Sequence, residues 1–430
     1  MYSSIHRKAE AAAEQLNRIN PELARVFRQS YLNTLDTTVE RLADGTTFVI
    51  TGDIPAMWLR DSSAQVRPYV KLASEDEQLA AMIRGLILRQ AQYLLLDPYA
   101  NAFNKEANGN GHQQDRTAMG PAIWERKFEL DSLCYPVQLL YDYWSAAGDR
   151  SIFNEVVHMM MKAIVDTMIV EQHHDSQSPY SFERDDILLP SDTLPFDGRG
   201  TRTNFTGMVW SGFRPSDDAC KFGYLIPANM FAVVVLGHIE SFAQQFYNDA
   251  SLAVKAKKLR NEISFGIETY GIYNHPVHGP IYAYETDGYG NYNLMDDANV
   301  PSLLSIPYLG FLPADDPMYQ RTRAFVLSRD NPYYYEGTFA RGIGSPHTPS
   351  GYIWPIALIM QGLTATGREE QEALIGQLLA TTAGTGFMHE SFDPNDPGQF
   401  TREWFAWANS LFGQFVLEWL ESGKDATVSV

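Results

Sequence analysis

Residues Leu225–Phe246 read Leu-Ile-Pro-Ala-Asn-Met-Phe-Ala-Val-Val-Val-Leu-Gly-His-Ile-Glu-Ser-Phe-Ala-Gln-Gln-Phe. This apolar stretch is far longer than a strand and has the spacing of about six helical turns. The same spacing recurs on both sides of it. Before it come Ala11–Leu32, Gln78–Leu96, Leu130–Ala146 and Ile152–Val170; after it come Ala253–Tyr270, Ser302–Leu309, Tyr319–Leu327, Tyr352–Leu363, Glu369–Thr381 and Trp404–Leu420. About a dozen helices are therefore expected. Thr47–Gly52 and Gly279–Tyr284 are strand-like, so short β-strands in the loops are a minor addition. Six helix pairs in two concentric rings would bury the inner helices on all sides and gather alternate loops at one rim. No linker-like or low-complexity run and no fixed-period repeat divides the chain, so residues 1–430 are expected to form one domain.

The 430 residues carry a formal net charge of -19, with 45% hydrophobic and 20% charged residues. That composition supports a large folded core. No cluster of Lys and Arg exists to neutralise phosphates, which excludes nucleic acid as an expected partner. Cys134 and Cys220 are too few for a disulfide framework and too far apart for a zinc site. Met1–Asn20 is polar and lacks the apolar core of a secretion leader, and no segment is expected to span a bilayer. A cytoplasmic protein without a membrane partner is the expectation; the oligomeric state has no signal in the sequence.

Long Gly-, Asn-, Asp- and Tyr-rich loops, such as Asp97–Asp115, Ser176–Phe205, His275–Ala298 and Asn331–Ser350, point to function. Three clusters stand out. Thr51–Ser62 offers Trp58 to stack on a sugar ring, with Arg60 and Asp61 to exchange hydrogen bonds with adjacent hydroxyls; the structural alternative is a surface ion pair with a helix cap near Ser62. Trp210–Asp218 presents the Asp217-Asp218 pair beside aromatic residues and Arg214. An acid in such a setting can hold a proton for a leaving oxygen, although two aspartates ahead of a helix also complement its positive end. Gly384–Phe392 carries Glu390 between His389 and Ser391, a placement suited to activating water and equally available to an exposed loop residue. Glu403 is a weaker candidate, readily explained by the helix that follows. Trp124-Glu125-Arg126 with Asp131, Asp296-Asp297, and Ser345-Pro346-His347 with Trp354 are lesser signals. No calcium-loop spacing, His-Glu-x-x-His pattern, phosphate loop or dinucleotide fingerprint is present, so no metal or cofactor is expected.

In these clusters the chain resembles glycoside hydrolase family 125, the exo-α-1,6-mannosidases. The matching stretches are Thr51–Ser62 (TGDIPAMWLRDS), Trp124–Tyr135 (WERKFELDSLCY), Phe213–Asp218 (FRPSDD), Ile226–Val235 (IPANMFAVVV), Pro301–Gly310 (PSLLSIPYLG), Tyr352–Ala357 (YIWPIA), His389–Phe392 (HESF) and Trp404–Asn409 (WFAWAN). The resemblance implies an all-α (α/α)6 barrel, a metal-independent enzyme and inverting removal of terminal mannose from α-1,6-linked mannosides. Carried onto matching positions, it puts the acid on the Asp217-Asp218 pair, with Asp217 preferred, and the base on Glu390. Trp58, Arg60, Asp61, Glu125, Arg214, Asp218, His347 and Trp354 become the candidates for holding an α-mannoside oligosaccharide. Glucoamylase-like inverting glucosidases and helical-barrel sugar epimerases are the competing readings for such a barrel.

Overall fold

The computed structural model of the chain describes residues 2–425. The helices that build its frame are α1 (Ser3–Ile19), α2 (Pro21–Thr37), α3 (Leu59–Val66), α4 (Glu77–Leu96), α5 (Leu130–Ala147), α6 (Glu155–Glu171), α7 (Ile226–Gln245), α8 (Ala250–Tyr270), α9 (Ile306–Leu309), α10 (Pro317–Val326), α11 (Pro355–Leu363), α12 (Arg368–Ala380) and α13 (Ala406–Asp425). In the inner ring α3 packs on α5, α5 on α7, and α7 on the single turn of α9. α11 packs on α13 and α13 on α3, which returns the ring to its start. Each inner helix is followed by an outer one, except that α13 is backed by α2 from the other end of the chain, with α1 lying against α2. This is the (α/α)6 arrangement, filled by residues 3–425; residue 1 and residues 426–430 of the expected domain lie outside the described residues.

Burial follows the rings. Every residue of α5 from Leu130 to Leu140 is buried, whereas the outer helix α12 buries only Leu374, Ile375 and Leu378. By length and hydropathy α7 matches a membrane span, contrary to the sequence reading, but 67% of its apolar window is buried inside the barrel. An inner helix faces protein on all sides and needs that composition. Close approach of inner helices depends on glycine in places: a Cβ on Gly362 of α11 would run into the Phe415 ring of α13.

The single helix expected over Ala11–Leu32 is two. Asn20 has an extended backbone and its side chain accepts the N–H groups of Glu22 (2.9 Å) and Leu23 (3.2 Å), so it caps α2, and Pro21 occupies the first helical position. The helix expected to begin near Ser62 begins at Leu59, which puts Arg60 and Asp61 in its first turn instead of a loop. Its residues are all buried yet mostly polar, so apolar periodicity could not show it.

All the inner helices start at the same rim. Trp58 precedes α3, Glu129 precedes α5, Asp217 and Asp218 lie ahead of α7, Asn299 ahead of α9, Trp354 precedes α11 and Arg402 lies ahead of α13. Short sheets fix the connections there. Met57–Trp58 and Ile123–Glu125 flank the central strand Ala102–Phe103, and Ser391–Phe392 pairs antiparallel with Phe400–Thr401. Helix N-termini converging on one mouth favour negative charge within it.

Candidate active site

A cavity of about 300 Å³ opens at this rim. Trp58, Arg60 and Asp61 line it from the start of α3, Asp217 from the turn ahead of α7, and Asn299 from the segment ahead of α9. His347 and Trp354 supply the wall before α11, while Glu390, Arg402, Phe405 and Trp407 supply the wall around the start of α13. The volume suits one or two sugar rings and lies at the small end of ligand pockets, which span roughly 300–1,000 Å³.

Asp217 is delivered by a tight turn. Arg214 N–H donates to the Asp218 carbonyl (2.8 Å) and Asp217 N–H to the Arg214 carbonyl (2.9 Å), which forces Asp217 into the left-handed region at φ 66°. Aspartate tolerates that region better than most residues. Lys127 Nζ ties the Asp217 carbonyl at 2.7 Å, and Asn101 Nδ2 approaches the carboxylate at 3.4 Å. Behind Asp217 sits Arg60, only 3% exposed, among four carboxylates: Glu129 at 2.6 Å, Asp131 and Asp217 at 3.2 Å, and Asp61 at 3.6 Å. One guanidinium cannot neutralise four anions. Burial accordingly raises Asp61, and raises Asp131 to about 6 against the opposing pull of Arg60.

Glu390 approaches from the hairpin before α13, 9% exposed, with Arg402 Nη1 3.4 Å from its Oε1. Arg402 has a left-handed backbone (φ 42°), grips the Asp53 carboxylate through Nε and Nη2, and lies 4.6 Å over the Phe405 ring. Glu390 is thus reached by only one arm of a guanidinium whose other arms are engaged. Burial alone would lower the His347 imidazole; the adjacent Asp218 carboxylate, with Asp217 and Glu390 beyond, outweighs this and raises it to about 9. His347 enters the cavity as a cation near neutral pH.

Seven of the sequence candidates meet in this cavity: Trp58, Arg60, Asp61, Asp217, His347, Trp354 and Glu390. Three do not line it. Arg214 is buried in an ion pair with Glu285 (Nε–Oε1 2.6 Å), so its guanidinium is spent inside the frame. Glu125 is buried beneath Asn101, bonded to Asn101 Nδ2 (3.0 Å) and Arg184 (2.8 Å). Asp218 is fully buried, accepts from Ser191 (2.7 Å) and Ser216 (3.0 Å), and stands 3.5 Å from His347 Nδ1. These three stand behind the wall of the cavity and not in it. Asn299, Arg402, Phe405 and Trp407 also line the cavity; the sequence assigns none of them a role, although the last three lie in the stretch leading into α13 beside the third cluster.

Among the described residues, the side chains grouped like metal ligands are His275, His278 and Asp330, none of which lines the cavity. His278 Nε2 bonds Asp330 Oδ2 at 2.8 Å, and His275 Nδ1 accepts the N–H groups of Val277 and His278. The other nitrogen of His275 therefore carries its proton and offers no lone pair.

The family model described as metal-independent alpha-mannosidase (GH125) matches residues 20–417. The Meiotically up-regulated gene 157 protein of Schizosaccharomyces pombe is 42% identical, covering 97% of this chain and 86% of its own. A solved Streptococcus pneumoniae structure, described as a metal-independent alpha mannosidase in a non-productive substrate complex with α-1,6-mannobiose, is 49% identical with a TM-score of 0.95, covering 98% of this chain and 99% of that one. A bacterial glucoamylase complexed with acarbose shares the fold at 12% identity and a TM-score of 0.55, over 92% of this chain and 55% of that one.

Proposed function

Because the chain belongs to the metal-independent α-mannosidase family GH125, we propose that it removes the terminal mannose of α-1,6-linked mannosides with inversion, Asp217 acting as general acid and Glu390 as general base. The observation that carries this reading is the convergence of Asp217 and Glu390, 173 positions apart in the numbering, on one cavity of about 300 Å³. Inversion requires two carboxyl groups about 6.5–9.5 Å apart, with a water between the base and the anomeric carbon. Glu390 takes a proton from that water as its oxygen attacks, and Asp217 gives one to the departing glycosidic oxygen. Both protons exchange with solvent afterwards, which balances the hydrolysis.

The remaining walls fit a terminal mannose. Trp58 supplies an apolar face, and its buried Nε1–H has no partner among the described residues, leaving it to donate to a hydroxyl. Charged His347 is a second donor, while Asp61, held by Thr51 and Arg60, is an acceptor. The small cavity supports exo action, since it has room for little more than the end of a chain. Related support for the linkage comes from the Streptococcus pneumoniae relative, whose structure holds α-1,6-mannobiose.

The test is release of mannose from α-1,6-, α-1,3- and α-1,2-linked mannobioses alongside nitrophenyl α-mannoside and α-glucoside. Preference for the α-1,6 linkage is expected. Faster cleavage of the glucoside would favour the glucoamylase-like reading, and conversion of free mannose to another hexose would favour an epimerase.

A further inference from the structure

Glu129 is a buried carboxyl group beside the proposed acid that the mechanism above leaves without work. It is 1% exposed at the N-cap position of α5. Its Oε2 accepts from Arg60 (2.6 Å) and from Ser132 (3.0 Å), whereas Oε1 meets no N–H or O–H donor among the described residues. Asp217, itself a carboxyl group, shares the Arg60 guanidinium with it, Nη1 reaching Glu129 at 2.6 Å and Nη2 reaching Asp217 at 3.2 Å, which sets the two carboxyl groups side by side. Two carboxyl groups bond to each other only when one of them holds a proton.

We infer that Glu129 and Asp217 form a dyad sharing one proton, in which Glu129 is a positioning residue that stores the proton Asp217 delivers to the leaving oxygen. The inference rests on reading Asp217 as the acid. The charges around the dyad support it. Arg60 and Asp61 face it from α3, Glu125 and Lys127 from the segment entering α5, Asp131 from the first turn of α5, Cys220 from beyond the Asp217 turn, and His347 across the cavity. Burial holds Glu129 well above the carboxylate range, outweighing Arg60, with Asp217 and Asp131 adding to the rise. Asp217 has its side chain 25% exposed toward the cavity, and although desolvation acts on it too, Arg60, the bond from Glu129 and Lys127 bring it below that range. Like charges crowded around one buried guanidinium oppose each other's ionisation, so the pair retains one proton at neutral pH and titrates as a unit.

The inferred step balances. Arrival of the glycosidic oxygen at Asp217 draws the proton from the Glu129 carboxyl onto Asp217. As the bond from the anomeric carbon to that oxygen breaks, the oxygen takes the proton and leaves as an alcohol. The doubly ionised dyad then regains one proton from solvent. Without Glu129, Asp217 would still face Arg60, Lys127 and His347 and would have no protonated carboxyl group beside it from which to draw a proton.

The experiment compares Glu129→Gln and Asp217→Asn with wild type on two substrates across pH. α-1,6-Mannobiose needs its leaving oxygen protonated; dinitrophenyl α-mannoside does not. For Glu129→Gln, kcat on mannobiose at neutral pH is expected to fall about a hundredfold, within the roughly 10²–10⁴ of general acid catalysis. The basic limb of its pH profile moves at least one unit toward acid, and kcat on the dinitrophenyl substrate changes by less than about threefold, consistent with the general-acid contribution alone being lost. Glu129→Asp keeps a carboxylate near Arg60 but draws it back from Asp217, and moves the limb in the same direction even if the Gln variant folds poorly. Asp217→Asn loses mannobiose hydrolysis at every pH. A wild-type basic limb in both Glu129 variants, or equal losses on the two substrates, overturns the dyad. Equal losses on both substrates in Asp217→Asn overturn instead the assignment of the acid, whatever Glu129 does.

Discussion

Glu285→Gln tests whether the ion pair behind the cavity is frame or binding surface. Glu285 is fully buried; its Oε1 takes Arg214 Nε at 2.6 Å, and its Oε2 takes the N–H groups of Lys221 (3.2 Å) and Phe222 (3.3 Å) and Asn293 Nδ2 (3.0 Å). Every partner is a donor. An amide has only one acceptor oxygen, so glutamine either points its NH₂ at the guanidinium or at the three other donors. Arg214, 6% exposed, is then left as a buried cation without its counter-ion. Breaking a buried pair on one side costs about 3–5 kcal/mol. At roughly 2.1 cal/mol/K per residue over 430 residues, the unfolding entropy is about 0.9 kcal/mol/K, so Tm drops by about 3–6 °C. Calorimetry measures that drop, and kinetics well below Tm measure the site. KM for α-1,6-mannobiose is expected to stay within about threefold of wild type, because lost frame stability does not by itself remove a contact with substrate. An unchanged Tm with KM raised tenfold or more would refute the placement of Arg214 behind the wall and return it to the sugar.

Three other outcomes follow from the geometry. Glu390→Gln should reduce kcat by about 10²–10⁴ at wild-type Tm; azide, a nucleophile that needs no base, should restore turnover and give β-mannosyl azide, and full activity without azide would rule Glu390 out as the base. Because the folded protein holds His347 at about 9 while an unfolded histidine titrates near 6.5, its stabilisation is complete below about 6.5 and lost as pH rises through about 9. The Tm gap between wild type and His347→Gln should therefore shrink across that window, and a gap independent of pH would contradict the ion pair with Asp218. Gly362→Ala drives a methyl group into the Phe415 ring between α11 and α13 and should cost about 1–3 kcal/mol, read as a lower Tm; a neutral effect would mean the inner helices are not in the close contact described.

The barrel was legible because an inner helix advertises itself. α5 and α7 are apolar around most of their surface, and their spacing alone marks them. The polar helix α3 was misplaced by three residues because Arg60, Asp61, Ser62 and Ser63 are buried against partners the local sequence does not contain. The same gap explains the site. Trp58, Asp217 and Glu390 stand in short stretches whose chemistry can be read locally. Arg214 beside an acidic pair reads equally well as a sugar contact or a frame residue, and the residue that decides, Glu285, lies 71 positions later. Glu125 likewise is claimed by Arg184, 59 positions away. Glu129 sits between Glu125 and Asp131 in a stretch of mixed charge, and only Arg60 and Asp217, brought from α3 and the turn before α7, single it out.

The claim on which the account turns is that water attacks from the Glu390 side while Asp217 protonates from the other. Proton NMR of α-1,6-mannobiose hydrolysis, recorded within minutes of mixing at high enzyme concentration, reads this directly through the anomeric signal of the first mannose released. β-Mannose appearing first, with α-mannose growing in only by mutarotation, is the predicted result; α-mannose as the initial product would contradict it.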